Sequence, residues 1–308
     1  MLFRSLTAIV PTVAKLLDWC RAHGVLVIHT PAAGTRASLA ARRACEAMAG
    51  KMHLQFVATE GPGHATEIAR GASAKGLGTV VAMGGDGTVN EVARGLVGTA
   101  AALAIVPSGS GNGLARHLRI SLDPLEALKA VASASRRRID VGRINGRLFL
   151  CTAGIGFDAH VSRHFASSRR RGLIGYTSTC LRRYIHYRPS VIDARFGGQQ
   201  VEGDCYFMTF ANASQYGNDA RIAPHADLAD GVLDLCMVDR LPVGRAIRLA
   251  RGMLNGDLRD SGAVTFHTAD TVRVQTQTPV EFHADGEFIG TDTSFDVALE
   301  PLALEIAI

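Results

Sequence analysis

The chain has 308 residues, of which 47% are hydrophobic, 20% charged and 6% aromatic. A chain this apolar and weakly charged buries enough surface to fold, so a disordered protein is excluded, and its length makes two domains the expectation. Lys and Arg number 33 against 28 Asp and Glu, a formal charge of +5 that is compatible with an anionic partner but too small to name one.

The N-terminal run Met1–Pro11 is too short and too weakly flanked for a secretory signal. Residues 1–23 carry a stripe at Ile9, Val13, Leu16, Leu17 and Cys20, which predicts a helix packed on the body. From Gly24 onward short apolar runs alternate with helical patterns. Strands are predicted at Val25–Ile28, His53–Ala58, Thr79–Met83 and Ala101–Val106, and helices at Ala37–Met48, Gly63–Ala74 and Val89–Val97. Such alternation implies an α/β domain with a parallel sheet, whose ligands sit beyond the carboxyl ends of the strands. The uncharged stretch Gly95–Ala115 has the length of a membrane span, but five glycines and Pro107 favour the strand and loop.

After a helix at Pro124–Ala134 the pattern turns β-rich. Residues 139–150 read as a hairpin turning at Asn145-Gly146, and strands follow at Val191–Phe196, Tyr206–Ala211, Gly231–Val238, Val264–Phe266, Thr271–Gln275 and Val280–His283. Helices are expected at Asp158–Ser167, Ile174–His186 and Val243–Leu254. The division is therefore 1–135 for a first, α/β domain and 136–308 for a β-rich second one, with the last strand able to return to the first. Six widely spaced cysteines with no C-x-x-C pair read as reduced thiols of a cytoplasmic protein.

Three motifs carry chemistry. Gly84-Gly85-Asp86-Gly87-Thr88-Val89-Asn90-Glu91 follows a strand and opens a helix, so glycine amides and a helix N-terminus suit a phosphate, and Asp86 makes sense there with Mg²⁺ between it and the anion. A tight Asp-Gly turn with Asp86 as helix cap is the plainer alternative. Pro107-Ser108-Gly109-Ser110-Gly111-Asn112-Gly113 repeats the logic one strand later, so that two neighbouring loops can serve one ligand. His283-Ala284-Asp285-Gly286-Glu287 is either a hairpin turn with two exposed carboxylates or the holder of a general base.

Together G-G-D-G-T-x-N-E, P-x-G-S-G-N-x-L-A-R and a late D-G-E resemble the diacylglycerol and sphingosine kinase family, in its small soluble bacterial form. Thr30-Pro31 with Gly34, Thr59 with Gly63-His64-Ala65, Tyr216-Gly217 and the stretch Ile222–Asp234 extend the likeness over roughly residues 25–300. The resemblance implies a NAD kinase/diacylglycerol kinase-like first domain, a sandwich-like, lipid-binding second domain, and an ATP- and Mg²⁺-dependent lipid kinase with its active site in the cleft between domains. On that likeness Thr30, Thr59, Gly84 through Glu91, Gly109, Ser110 and Asn112 would bind the nucleotide. Asp86 would belong to the Mg²⁺ network, and Asp227, Asp230 and Val232 to a second cation site. Glu287 or Asp285 would be the base, the likeness not separating them. Gly113 stands where many bacterial relatives have Asp, and Thr30 where they have Asn. A soluble-nucleotide kinase of the NAD kinase type and a catalytically silent binding protein are the alternatives.

Residues 160–190 hold seven arginines and no acidic residue, interleaved with Tyr and Phe, which suits either a solvated face or peripheral docking on an anionic membrane surface. No recognised motif accompanies the charge, so nucleic acid is not an expected partner.

Overall fold

The computed structural model describes residues 25–31, 43, 54–166, 183–184, 186–256, 258 and 264–308. The predicted helix at 1–23, Ala37–Met48 apart from Arg43, Arg169–Arg171 and most of Ile174–His186 lie outside those residues. The chain forms two compact units. The first holds residues up to Gly109, Leu118–Arg138 and Ala303–Ile308, and the second holds Ser110–His117 and Ile139–Leu302.

In the first unit β1 (Val25–His29), β2 (Leu54–Ala58), β3 (Thr79–Gly84) and β4 (Ala102–Pro107) are joined through α1 (His64–Ala74) and α2 (Asp86–Leu96). All pairings are parallel, in the order β2-β1-β3-β4. Connections leave β1 toward β2 and β3 toward β4, so the order reverses between β1 and β3 and opens the crevice in which such sheets bind ligands. β3 and β4 are almost wholly buried, as their unbroken apolar runs require of strands covered on both faces. Val27, Val81, Ala104 and Val106 form a core with Leu128 of α4 (Pro124–Ala130). Gly95 lets α2 approach α1 closely, because a side chain there would meet the Thr66 carbonyl and Ala69.

The second unit is antiparallel. It comprises α3 (Gly113–His117), β5 (Arg136–Ile144), whose first residues belong to the other unit, β6 (Arg147–Phe149), β7 (Thr152–Gly156), α5 (Phe157–Ala166), β8 (Ser190–Phe196), β9 (Gln199–Cys205), β10 (Phe207–Ala211), β11 (Leu233–Val238), α6 (Val243–Asn255), β12 (Val264–Ala269), β13 (Thr271–Ala284) and β14 (Glu287–Ala307). The main run is β12-β11-β10-β7-β13-β14, with β8 also on β13 and β5 also on β14. Phe149, Phe210, Phe282 and Phe295 fill its core. The expected Asn145-Gly146 turn is present with both residues at positive φ, 46° and 76°.

The runs expected as separate strands at Thr271–Gln275 and Val280–His283 are one strand. Its register shifts between Gln275 and Val280, across Pro279, which has no amide to give to the ladder. β7 and β9 were not foreseen. β7 is glycine-rich and wholly buried, and β9 is a polar hairpin partner of β8, turning at Gly197-Gly198 with φ 53° and 75°. Neither carries the apolar alternation that marks a half-buried strand. Beyond the expectation of a last strand that returns to the first domain, the 21-residue span of β14 was not predicted either. Leu302 turns it at φ 49°, after which Ile306 pairs in parallel with Leu103 of β4.

Candidate active site

In the first unit the expected nucleotide residues gather where β1, β2 and β3 end. Parallel register aligns His29 with Ala58 and Met83, so the residues that follow the three strands emerge at one level. Thr59 donates to Thr30 Oγ1 at 3.2 Å, and Thr30 shares a 3.0 Å hydrogen bond with Thr88 Oγ1. Three hydroxyls predicted from separate motifs thus form one chain across the switch point.

The glycine motif is more helical than expected. The predicted helix at Val89–Val97 begins instead at Asp86, with Gly85 extended at φ −90°, ψ −171° as the residue before it. Glycine, not Asp86, therefore caps the helix, and it offers no side-chain oxygen to the first amides of α2. The contrast with α4 is direct: Asp123 accepts from the amides of Leu125 and Glu126 at 2.8 and 3.0 Å. An 11-residue helix whose first amides take no cap from a side chain suits an external anion. Gly84 has no room for a side chain beside Thr88, and a methyl group on Gly85 would lie 3.2 Å from Gly109 Cα, so the two glycine loops touch.

Other residues of the motif face inward. Val89 is core, Asn90 is buried and accepts from Arg94 Nε at 2.7 Å, and Glu91 accepts from the Gly63 amide at 3.1 Å, tying α1 to α2. Asp86 is half-buried and Gly87 exposed in the first turn.

The Pro107–Gly113 loop is divided between the units: Ser108 donates to the Gly84 carbonyl at 2.9 Å, whereas Ser110–His117 packs with the second. Ser110 is exposed and Asn112 sits at φ 54°. Arg116 closes the loop from behind, donating to the Gly111 carbonyl at 3.1 Å and to Asp219 at 2.6 Å. At Gly217, with φ 116°, a side-chain carbon would lie 3.2 Å from Gly111 Cα, which accounts locally for the Tyr-Gly pair.

The D-G-E segment is the two-residue turn between β13 and β14, with Asp285 at φ 48° and Gly286 at φ 77°. Its two carboxylates differ, which sets aside the alternative of a turn with two exposed acids. Asp285 accepts from the amides of Leu150, Cys151 and Thr152 at 2.9, 2.8 and 3.2 Å, while Glu287 stands exposed at the start of β14. Beneath the turn lies a buried cluster that sequence reasoning missed. Asp158 Oδ2 receives Thr209 Oγ1 at 3.1 Å, His283 Nε2 at 3.2 Å and the Tyr216 hydroxyl at 3.4 Å. His283 Nδ1 accepts from the Gly286 amide at 3.3 Å, which leaves Nε2 to carry the proton toward Asp158. Gly154 is the only residue type that fits there, because a side chain would collide with Asp158 and His283. The available signals were the histidine inside the H-A-D-G-E motif and the tyrosine of the Tyr-Gly pair; Asp158 and Thr209 gave none.

The expected cation residues lie on the turn before β11. Asp227 and Asp230 are exposed and each accepts an amide two residues on, from Ala229 at 3.0 Å and Val232 at 3.1 Å. Buried Asp140 anchors the same turn through the Gly231 amide at 2.9 Å. Burial, helped by the Asp230 charge, pushes the Asp234 carboxyl up from its usual range. Carboxylate and backbone oxygens are the donor type that a hard cation takes. Among the described residues no three His, Cys, Asp or Glu side chains gather in metal-ligating geometry, so any cation here would lean on backbone oxygens and water.

Of the basic stretch at 160–190, Arg163 is paired with Glu281 at 2.7 Å, and Arg183 and Arg188 are exposed. The described cysteines Cys151, Cys205 and Cys236 are buried thiols, that of Cys205 pushed up to about 12 by burial. An open groove of about 860 Å³ in the second unit is lined by Arg143, Phe196, Thr271 and Arg273 among others, none a predicted site residue.

With this geometry in place, comparison with known proteins assigns the class. Residues 24–144 match the family described as the diacylglycerol kinase catalytic domain, and residues 151–308 the YegS C-terminal NAD kinase beta sandwich-like domain. The chain belongs to this bacterial lipid kinase family. It is 28% identical to the diacylglycerol kinase of Bacillus subtilis over 76% of this chain and 78% of that one. It is 30% identical to "Probable lipid kinase YegS-like" of Chromohalobacter salexigens over 83% and 84%, and 36% identical to the protein of that name in Pseudomonas aeruginosa over 70% and 71%. A crystal structure of a diacylglycerol kinase from Bacillus anthracis has the same fold, with TM-score 0.70 at 21% identity, covering 92% of this chain and 96% of that one. No helix among the described residues is long and apolar enough to cross a membrane.

Proposed function

We propose that the chain transfers the γ-phosphoryl group of ATP to a hydroxyl of a diacylglycerol-like or sphingoid lipid. The observation that carries this reading is the α2 N-terminus without a side-chain cap, set behind Gly84 and Gly85 and beside the Thr30, Thr59 and Thr88 hydroxyls. Glycine amides there can approach phosphate oxygens, and Asp86 in the first turn would hold Mg²⁺. When bound, the ion supplies charge neutralisation on the transferring group. Gly109, Ser110 and Asn112 would complete the nucleotide contacts.

Glu287 is the better candidate for the base that takes the lipid hydroxyl proton, because Asp285 is committed to three amides. Asp285, His283 and Asp158 would hold the turn that carries it. Phosphoryl transfer asks mainly for positioning and charge stabilisation, which this inventory can provide. The setting is a cytoplasmic protein at the anionic inner face of the membrane, where the arginines of 160–190 would contribute attraction.

Radiolabelled γ-phosphate transfer to a panel of diacylglycerols and sphingoid bases tests the reading. Asp86→Ala should abolish labelling, and Glu287→Gln should reduce kcat by about 10²- to 10⁴-fold. Labelling of NAD with no labelling of any lipid would overturn it in favour of a soluble-nucleotide kinase.

A further inference from the structure

We infer that α6 is a second, separate membrane-docking element that lies on an anionic lipid surface. Over Val243–Asn255 the helix turns two apolar faces outward from its axis. One is ordinary: Leu249 is 5% exposed and joins Phe157, Tyr206 and Val238 in the core, with Ala246 and Met253 packed against them. The other is in solvent. Val243 is 46% exposed, Ile247 48% and Leu254 43%, three of the six large exposed apolar side chains among the described residues, and exposed Ala250 lies between the last two.

Their spacing of four, three and four residues places them within about 60° of one another around the axis, a continuous stripe along about 16 Å of helix. Scattered exposed apolar residues need no explanation, but a run of this kind on one helix marks a contact surface.

Charge names the partner. Arg245, Arg248 and Arg251 recur every third residue on the remaining arc, all exposed, and α6 contains no Asp or Glu. Arg240, just before the helix, is exposed beside exposed Asp239, so the net positive charge comes from the three arginines of α6. An apolar stripe bordered on one side by arginines, with no acid, is the composition of an interfacial helix whose apolar residues enter the acyl boundary while guanidinium groups stay among phosphates. The choice of a bilayer over an acidic protein rests on the lipid-kinase reading above, since an acceptor of that class resides in a bilayer. The helix is distinct from the 160–190 stretch in sequence and offers what that stretch does not show in the described residues, exposed apolar anchors.

Sedimentation of the full chain with phosphatidylglycerol vesicles, against phosphatidylcholine vesicles, tests this without any need for catalysis. Binding should favour phosphatidylglycerol and fall with salt. Arg248→Gln with Arg251→Gln should weaken it by about 25-fold, about fivefold for each arginine, and flatten the salt dependence. Ile247→Ser with Leu254→Ser should weaken it by about tenfold or more with the salt dependence kept. These side chains are exposed, so melting temperatures should not move. An environment-sensitive dye on Leu254→Cys should shift to the blue when phosphatidylglycerol vesicles are added, which serves if a double variant folds poorly.

Wild-type vesicle binding by both double variants, or an unshifted dye, would overturn the proposal. So would a dimer that the variants split while vesicle binding persists, because the stripe would then seat a second copy of the chain. Failure of the kinase reading is recognised separately: vesicles are bound through α6 but no lipid is labelled. If both readings hold, the α6 variants phosphorylate a detergent-dispersed acceptor at the wild-type rate and a vesicle-borne one more slowly.

Discussion

Asp285 and Glu287 lie two residues apart on one turn and have opposite surroundings. Asp285 accepts three amides from the Leu150–Thr152 segment, so its substitution removes acceptors from partly buried donors, whereas Glu287 projects into solvent. Asp285→Asn should therefore destabilise the protein by about 1–3 kcal/mol in urea unfolding. Glu287→Gln should leave stability within about 0.5 kcal/mol while lowering phosphoryl transfer. A larger loss of stability from Glu287→Gln than from Asp285→Asn would reverse the assignment of positioning and base, and equal losses would remove it. The D-G-E motif was legible in the sequence. The difference between its acids was not, because it depends on amides 133 to 135 residues away. Asp158 was invisible for the same reason: its partners Thr209, Tyr216 and His283 come from three later parts of the chain.

At the level of elements, most strands and helices of the first unit were readable, since a buried parallel strand is a short apolar run bounded by glycine or hydroxyl residues. The start of α2 was not. Three residues of difference turn the Asp86–Thr88 segment from loop into the first helical turn, and that decides which amides point outward. On β11, Asp234 offers a test by pH. Its folded-state carboxyl lies above the ordinary 3.8 because of burial first and Asp230 second. A raised carboxylate contributes stability that is fully present below the unfolded pKa and lost as pH rises through the folded one, so at pH 7 the ionised group is a burden. Asp234→Asn should melt at a higher temperature than wild type at pH 7, with the gap closing by about pH 3. Millimolar Mg²⁺ should narrow the gap at pH 7 if Asp227 and Asp230 share a cation nearby. A gap independent of pH would show that packing, not charge, sets it.

For the whole molecule, β14 is the element that belongs to both units. Its final residues Ala303–Ile308 complete the first unit: Leu304 and Ile306 are fully buried, Ile306 pairs with Leu103, and Ser135 and Ile308 exchange two backbone hydrogen bonds of 2.8 and 2.9 Å. Removing two such side chains costs about 2–5 kcal/mol each, against a total stability of about 5–15 kcal/mol, and also bares the edge of β4. A chain ending at Leu302 should show a lower melting temperature by circular dichroism and should aggregate on size exclusion, and an unchanged melting curve would mean the return strand is dispensable. The sequence by itself determined what is local: apolar periodicity, the Asn-Gly turn, and glycine loops that announce a phosphate site on a parallel sheet. The tertiary structure alone decided which carboxylate is held and which is free, which hydroxyls meet, and which face of α6 remains in water. Those outcomes follow from hydrogen bonds and burial between residues far apart in the chain, whose spacing no sequence period records.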